Sequence, residues 1–175
     1  TSFNGKKQVG NAFLVTKGTT GTDTPTPPTT GEDYKSNISW KLGNKAYDNT
    51  SVDNSKQYAM VNGVEVTQIL KLGASSGAGT ATLIIPKGTS KLSFYGFAWK
   101  GTEATLVAKV GGTEVAKEPL KGNDGVVKTA PYTITVTASD LHTVNFPTKL
   151  PVDTEVEITT EEAKGRVVLF GFKAE

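Results

Sequence analysis

The sequence predicts an all-β protein, an antiparallel β-sandwich, and three observations carry the prediction. Short apolar segments with period-two alternation recur at regular spacing, each bounded by Gly, Pro, Asn or Asp. One of them, residues 90–100, is apolar on both faces, which suits a central strand. No window carries a 3.6-residue apolar period, and the one helical candidate, residues 161–164, is a single turn.

The segment at 90–100 organises the rest. Pro86 and Gly88 precede it and Gly101 follows it, so both ends are turns. Strand side chains alternate between faces. Leu92, Phe94, Gly96 and Ala98 therefore share one face, and Ser93, Tyr95, Phe97 and Trp99 the other. The first belongs in a core; the second is either covered or used.

Along the chain, residues 1–17 read as the terminal hairpin of a preceding β domain, on the strength of Asn4-Gly5 and the apolar Val9, Phe13 and Val15. Residues 18–33 hold almost nothing apolar, and Pro25, Pro27 and Pro28 favour an extended chain, so this is a Pro/Thr linker. The main domain then runs over 34–175. A strand at 37–42 places Ile38, Trp40 and Leu42 together. A polar loop follows at 46–55, then strand material at 61–72 with an Asn62-Gly63 turn near its start. Residues 80–85 form the next strand, and 105–110 follow the central one, closed by Gly111-Gly112. A long loop is expected at 118–128. Strands at 132–137, 142–146 and 152–160 alternate, and 166–172 is apolar on both faces and hence buried. The count is eight to ten strands.

Composition narrows the function classes. A chain of 175 residues can bury roughly 70% of its unfolded surface, so it folds without disulfides or metal. It has no Cys, which excludes a disulfide framework and a thiolate metal site. Nineteen basic and 17 acidic residues are interspersed, giving a net charge of +2; no basic run tracks a phosphate backbone, so nucleic acid is not the expected partner. No stretch reaches the roughly 20 apolar residues of a membrane span. The chain opens at Thr1 without a signal peptide and reads as a processed piece or fragment, a monomeric unit attached to upstream domains.

Three stretches together resemble a known group. They are residues 70–86 (Leu-Lys-Leu-Gly-Ala-Ser-Ser-Gly-Ala-Gly-Thr-Ala-Thr-Leu-Ile-Ile-Pro), 91–101 (Lys-Leu-Ser-Phe-Tyr-Gly-Phe-Ala-Trp-Lys-Gly) and the closing 166–172 (Arg-Val-Val-Leu-Phe-Gly-Phe). They resemble the C-terminal jelly-roll domains of secreted or surface lipoproteins of Bacteroides-type bacteria, and the Pro/Thr linker is in keeping. The resemblance covers about residues 35–175. It implies a galactose-binding-like jelly roll, export to the cell envelope and a glycan or surface-polymer partner; it carries no binding residues over.

Candidate chemistry is sparse. Tyr95 and Trp99 could form a row of flat rings for the apolar faces of sugars, with Phe97 between them; Trp40 and Tyr47 are the other candidate ring surfaces. The alternative is that the row is core. The loop holding Asp48, Asn49, Asp53 and Asn54 offers oxygen ligands for a structural Ca²⁺, but it lacks the Gly and closing Glu of an EF-hand; an Asx-turn loop explains the same residues. No cofactor is required. His142 is the only His, and Ser139 and Asp140 beside it are too close in sequence for a triad. Glu155 and Glu157 share a strand face at a spacing near that of glycosidase carboxylates, yet such a pair is ordinary on a solvent face. The residues thus point to a non-catalytic binding module for glycan, against a structural spacer domain and, last, a hydrolase.

Overall fold

The computed structural model describes residues 31–52 and 56–175. The expected hairpin at 1–17, and the linker up to residue 30, lie outside them. The strands, in chain order, are β1 (Ser39–Leu42), β2 (Ala46–Tyr47), β3 (Ala59–Val61), β4 (Val64–Val66), β5 (Ile69–Leu72), β6 (Ala81–Ile85), β7 (Lys91–Ala98), β8 (Glu103–Val110), β9 (Thr113–Lys121), β10 (Tyr132–Ile134), β11 (Leu141–Asn145), β12 (Thr154–Thr160) and β13 (Val167–Ala174). Two five-stranded antiparallel sheets form, in the orders β1-β6-β12-β8-β9 and β11-β7-β13-β5-β2. From β5 to β8 the chain passes between these sheets at every step, and it does so again from β11 to β13. The result is a jelly-roll sandwich. A third sheet, β10-β3-β4, pairs β10 with β3 in parallel.

Burial follows from which residues share a face. Leu83, Ile85, Leu106, Val156 and Ile158 of the first sheet meet Leu70, Leu72, Leu92, Phe94 and Leu169 of the second. The face of β7 that carries Leu92, Phe94, Gly96 and Ala98 lies in this core, as its pattern predicts. A Cβ on Gly96 would come within 2.8 Å of the Leu169 side chain, so the close packing here depends on its absence. The opposite face of β7 is also enclosed. Tyr95 and Phe97 join Val168, Phe170, Ile69, Val61, Tyr132 and Ile134 in a second core beneath the third sheet. Phe170 is its centre, with ring centroids 5.9 Å from Tyr34, 5.6 Å from Tyr95 and 6.4 Å from Phe97. Burying such aromatics contributes about 1.5–3 kcal/mol each.

A bulge in β13 lets one strand serve both cores. Strict alternation would send Phe170 and Phe172 to the same face. Gly171 sits at φ 68°, in the left-handed region, and the pairing with β7 shifts register between Phe170 and Lys173. The extra residue turns Phe172 back into the first core, where it stacks on Phe94 at 5.6 Å.

The sequence reading and the structure differ at several elements. Residues 61–72 are not a single strand. Asn62 (φ 49°) and Gly63 (φ 82°) reverse the chain into the β3-β4 hairpin, and β5 begins only at Ile69. Asn62 also pins the hairpin: its amide donates to the Val136 carbonyl at 3.0 Å and its Oδ1 accepts from the Val136 N–H at 3.0 Å. The loop expected at 118–128 begins later, because β9 runs to Lys121. As an edge strand, β9 carries charges and Pro119, which disguise it. Leu42 stands apart from Ile38 and Trp40, 39% exposed at the end of the edge strand β1. At the start of the described residues Gly31–Tyr34 forms a 3-10 turn, Tyr34 is fully buried, and Lys173 Nζ donates to the Glu32 carbonyl at 3.1 Å.

Candidate site where the third sheet ends

The expected aromatic row divides between core and surface. Tyr95 is only 5% exposed, edge-on to Tyr34 at 5.8 Å, and burial pushes its phenol pKa up. Its ring is part of the second core and presents no face to a ligand. Phe97 is buried likewise. Trp99, one step further along, is half-buried at the margin of the second core. Trp40 is half-buried against Phe172 at 5.7 Å, and its indole N–H donates to Asp48 Oδ2 at 2.9 Å, so it is held as packing on the first core.

Tyr47 and Trp99 are brought together by a residue the sequence reading passed over. Lys71 on β5 is paired with Tyr47 of β2 on one side and Val168 of β13 on the other. Its Nζ lies 4.8 Å from the Tyr47 ring centroid and 5.4 Å from that of Trp99. Arg166, whose carbonyl accepts from the Trp99 N–H at 3.0 Å, places its guanidinium 4.7 Å from the same indole. Such cation–π contacts contribute about 0.5–2 kcal/mol depending on exposure. Burial, and then the neighbouring Arg166, hold the Lys71 pKa below its ordinary value.

Beside Lys71 the surface opens into a cleft of about 200 Å³, lined by Tyr47, Gln57, Lys71, Lys128, Thr129 and Tyr132 among others. Tyr132 belongs to the cleft wall and to the second core. Its hydroxyl donates to Gln57 Oε1, and burial raises its pKa to about 12. No acidic side chain lines the cleft among the described residues. A second gap, of about 20 Å³, lies between the main sheets near Leu83, Phe94 and Val144. It is room for about one water and lined almost wholly by apolar side chains, Glu118 excepted, a packing imperfection rather than a site.

The other candidates are accounted for by structural bonds. The Asp48 carboxylate is buried and already accepts from Trp40 Nε1, from the Thr50 N–H at 2.8 Å and from the Thr50 hydroxyl at 2.6 Å. It organises a turn, with three of the carboxylate's lone-pair sites engaged in these bonds. Asn49 is exposed, and Asp53 and Asn54 lie outside the described residues. Among the described residues no group of three or more His, Asp or Glu could hold a metal. His142 Nδ1 lies 3.3 Å from Glu118 Oε2 and its ring stacks on Phe94 at 5.4 Å, so it ties the edge strands of the two main sheets. Asp140 is bound by Lys121 at 2.9 Å and by the Thr137 N–H at 2.8 Å. Burial alone would raise its pKa, but these bonds bring it below the usual carboxylate value. Glu155 is held by Lys41 at 3.0 Å on the exposed face of the first sheet, with Glu157 beside it.

Lys71, Arg166 and Lys128 went unread in the sequence. The available signal was Lys71 itself, a lone cation within the apolar run 69–72. A cation there needs either a partner or a surface opening.

No protein-family model matches the chain, and no curated protein matches it. Among solved structures it is similar to the carbohydrate-binding module CBM36 in complex with calcium and xylotriose, at 15% identity over 81% of this chain and 92% of that one, with a TM-score of 0.40. It is similar to TmCBM61 in complex with β-1,4-galactotriose, at 11% identity over 82% and 90%, TM-score 0.40. The CBM22-1 xylan-binding domain of Paenibacillus barcinonensis Xyn10C gives 14% identity over 86% and 95%, TM-score 0.43.

Proposed function

We propose that this domain is a non-catalytic glycan-binding module. The observation that supports it is the cleft lined by Tyr47, Gln57 and Lys71, with Trp99 half-buried beside it, its ring centroid 5.4 Å from Lys71 Nζ. A ring fixed by its surroundings and still partly open offers a stiff apolar surface to the C–H face of a sugar. Lys71, Gln57 and Thr129 supply polar groups around it that can meet sugar hydroxyls. Among the described residues no comparable ring stands on the outer face of the other sheet, where Lys41, Glu155 and Glu157 are exposed. The module works outside the cell or on its envelope, carried by upstream domains through the Pro/Thr segment.

A glycan array probed with the domain, with and without Ca²⁺, tests the reading. Retention of a defined glycan is expected, and loss of retention on chelation would assign a Ca²⁺ to the binding form. Trp99→Ala and Tyr47→Ala should each weaken retention about tenfold. A folded Trp99→Ala, Tyr47→Ala double variant that binds like the parent would remove the cleft from the reading.

A further inference from the structure

Among the described residues, the cleft's lining holds two cations and no carboxylate. Lys71 and Lys128 line the cleft and Arg166 lies beside it, and none of the three forms an ion pair with a described carboxylate. Lys71 Nζ has one hydrogen-bond acceptor, the Gly73 carbonyl at 2.9 Å; its remaining surroundings are the two rings and Arg166. Two cations bearing on the same indole repel each other, and their partial burial makes that repulsion cost more than it would in water. An anion placed between them would relieve it and form charge-assisted hydrogen bonds. The rings require that the anion be attached to something with a flat apolar face.

Resting on the glycan-binding reading, we infer that the ligand is an acidic glycan, one sugar ring lying against Trp99 or Tyr47 while its carboxylate or sulfate sits on Lys71 and Arg166. Lys128 on the cleft wall is placed to meet the next acidic residue of the polymer. The lowered pKa of Lys71 agrees: a bound anion would stabilise its ammonium form and raise that pKa.

Calorimetric titration of the domain with four probes tests the inference: oligogalacturonate, chondroitin sulfate oligosaccharide, neutral β-1,4-galacto-oligosaccharide and oligo(dT). One or both acidic oligosaccharides should bind at least about tenfold tighter than the neutral one. Which of them binds tells carboxylate from sulfate. Raising NaCl from about 0.05 M to about 0.5 M should weaken the acidic complex several-fold. Lys71→Gln and Arg166→Gln should each cost about tenfold, whereas Lys41→Gln, the same charge change on the other sheet, should cost nothing. Thermal unfolding of each variant confirms that it is folded. Neutral glycan binding as tightly as acidic would overturn the inference and leave the module reading standing. Folded protein that binds no glycan of either kind would overturn both, and binding of oligo(dT) alone would replace the glycan with a nucleic acid.

Discussion

The outer faces of the two main sheets are built on opposite plans. On β12 of the first sheet, exposed Glu155 and Glu157 alternate with buried Val156 and Ile158, the ordinary pattern of a strand with one wet side. On β13 of the second sheet, Val167 to Phe172 are all buried. The first sheet needs no cover; the second is apolar outside and wears a third sheet. That cover is short, and at its margin stand Tyr47, Lys71, Trp99 and Arg166, neither wholly buried nor wholly exposed. The proposed binding surface lies where an apolar face runs out from under its lid.

The contrast is broken most directly by removing the centre of the second core. Phe170→Ala should destabilise the domain by about 3–5 kcal/mol, read from urea unfolding, because the ring touches Tyr34, Tyr95 and Phe97. Gly171→Ala comes next, at about 1–3 kcal/mol. Its left-handed φ disfavours a Cβ, which would also sit 3.2 Å from the Tyr95 ring. Loss of less than about 0.5 kcal/mol in that variant would mean that the bulge is not needed to point Phe172 inward.

A smaller, pH-dependent effect sharpens the comparison. The Tyr132 phenol has a folded pKa of about 12 against about 10 when unfolded. The folded state therefore holds the proton more tightly. This contribution is fully present below about pH 10 and is lost as pH rises toward about 12, at up to about 1.4 kcal/mol per pH unit. Tyr34 and Tyr95 are shifted in the same direction, first by burial. Urea midpoints should fall between about pH 9 and about pH 11.5, and Tyr132→Phe should flatten that fall. The smallest effect belongs to the bare face: Glu157→Ala should change stability by less than about 0.5 kcal/mol.

Much of the sandwich was legible because its strands obey period two between turn residues. The aromatic strand β7 and the closing strand β13 announced burial on both faces through unbroken apolar runs. The sequence did not announce what covers them. The third sheet is assembled from three-residue strands, too short for periodicity to register, and from a parallel pairing of β10 with β3 across some 70 residues. The site was half legible for a related reason. Aromatics two apart on a strand look alike, but the second core buries Phe97 and leaves Trp99 half-open at its margin. Tyr95 thus joined the core and Trp99 the margin. In the polar loop Asp48 serves an Asx turn, and Asx turns and oxygen ligands draw on the same residue types.

Backbone amide chemical-shift mapping with the glycan selected on the array tests the central claim most directly. Perturbations centred on Tyr47, Lys71, Trp99 and residues 128–130, with Lys41, Glu155 and Glu157 undisturbed, are the predicted result. Perturbations centred on the bare face of the first sheet would contradict the account and place the binding surface on the side that carries no ring.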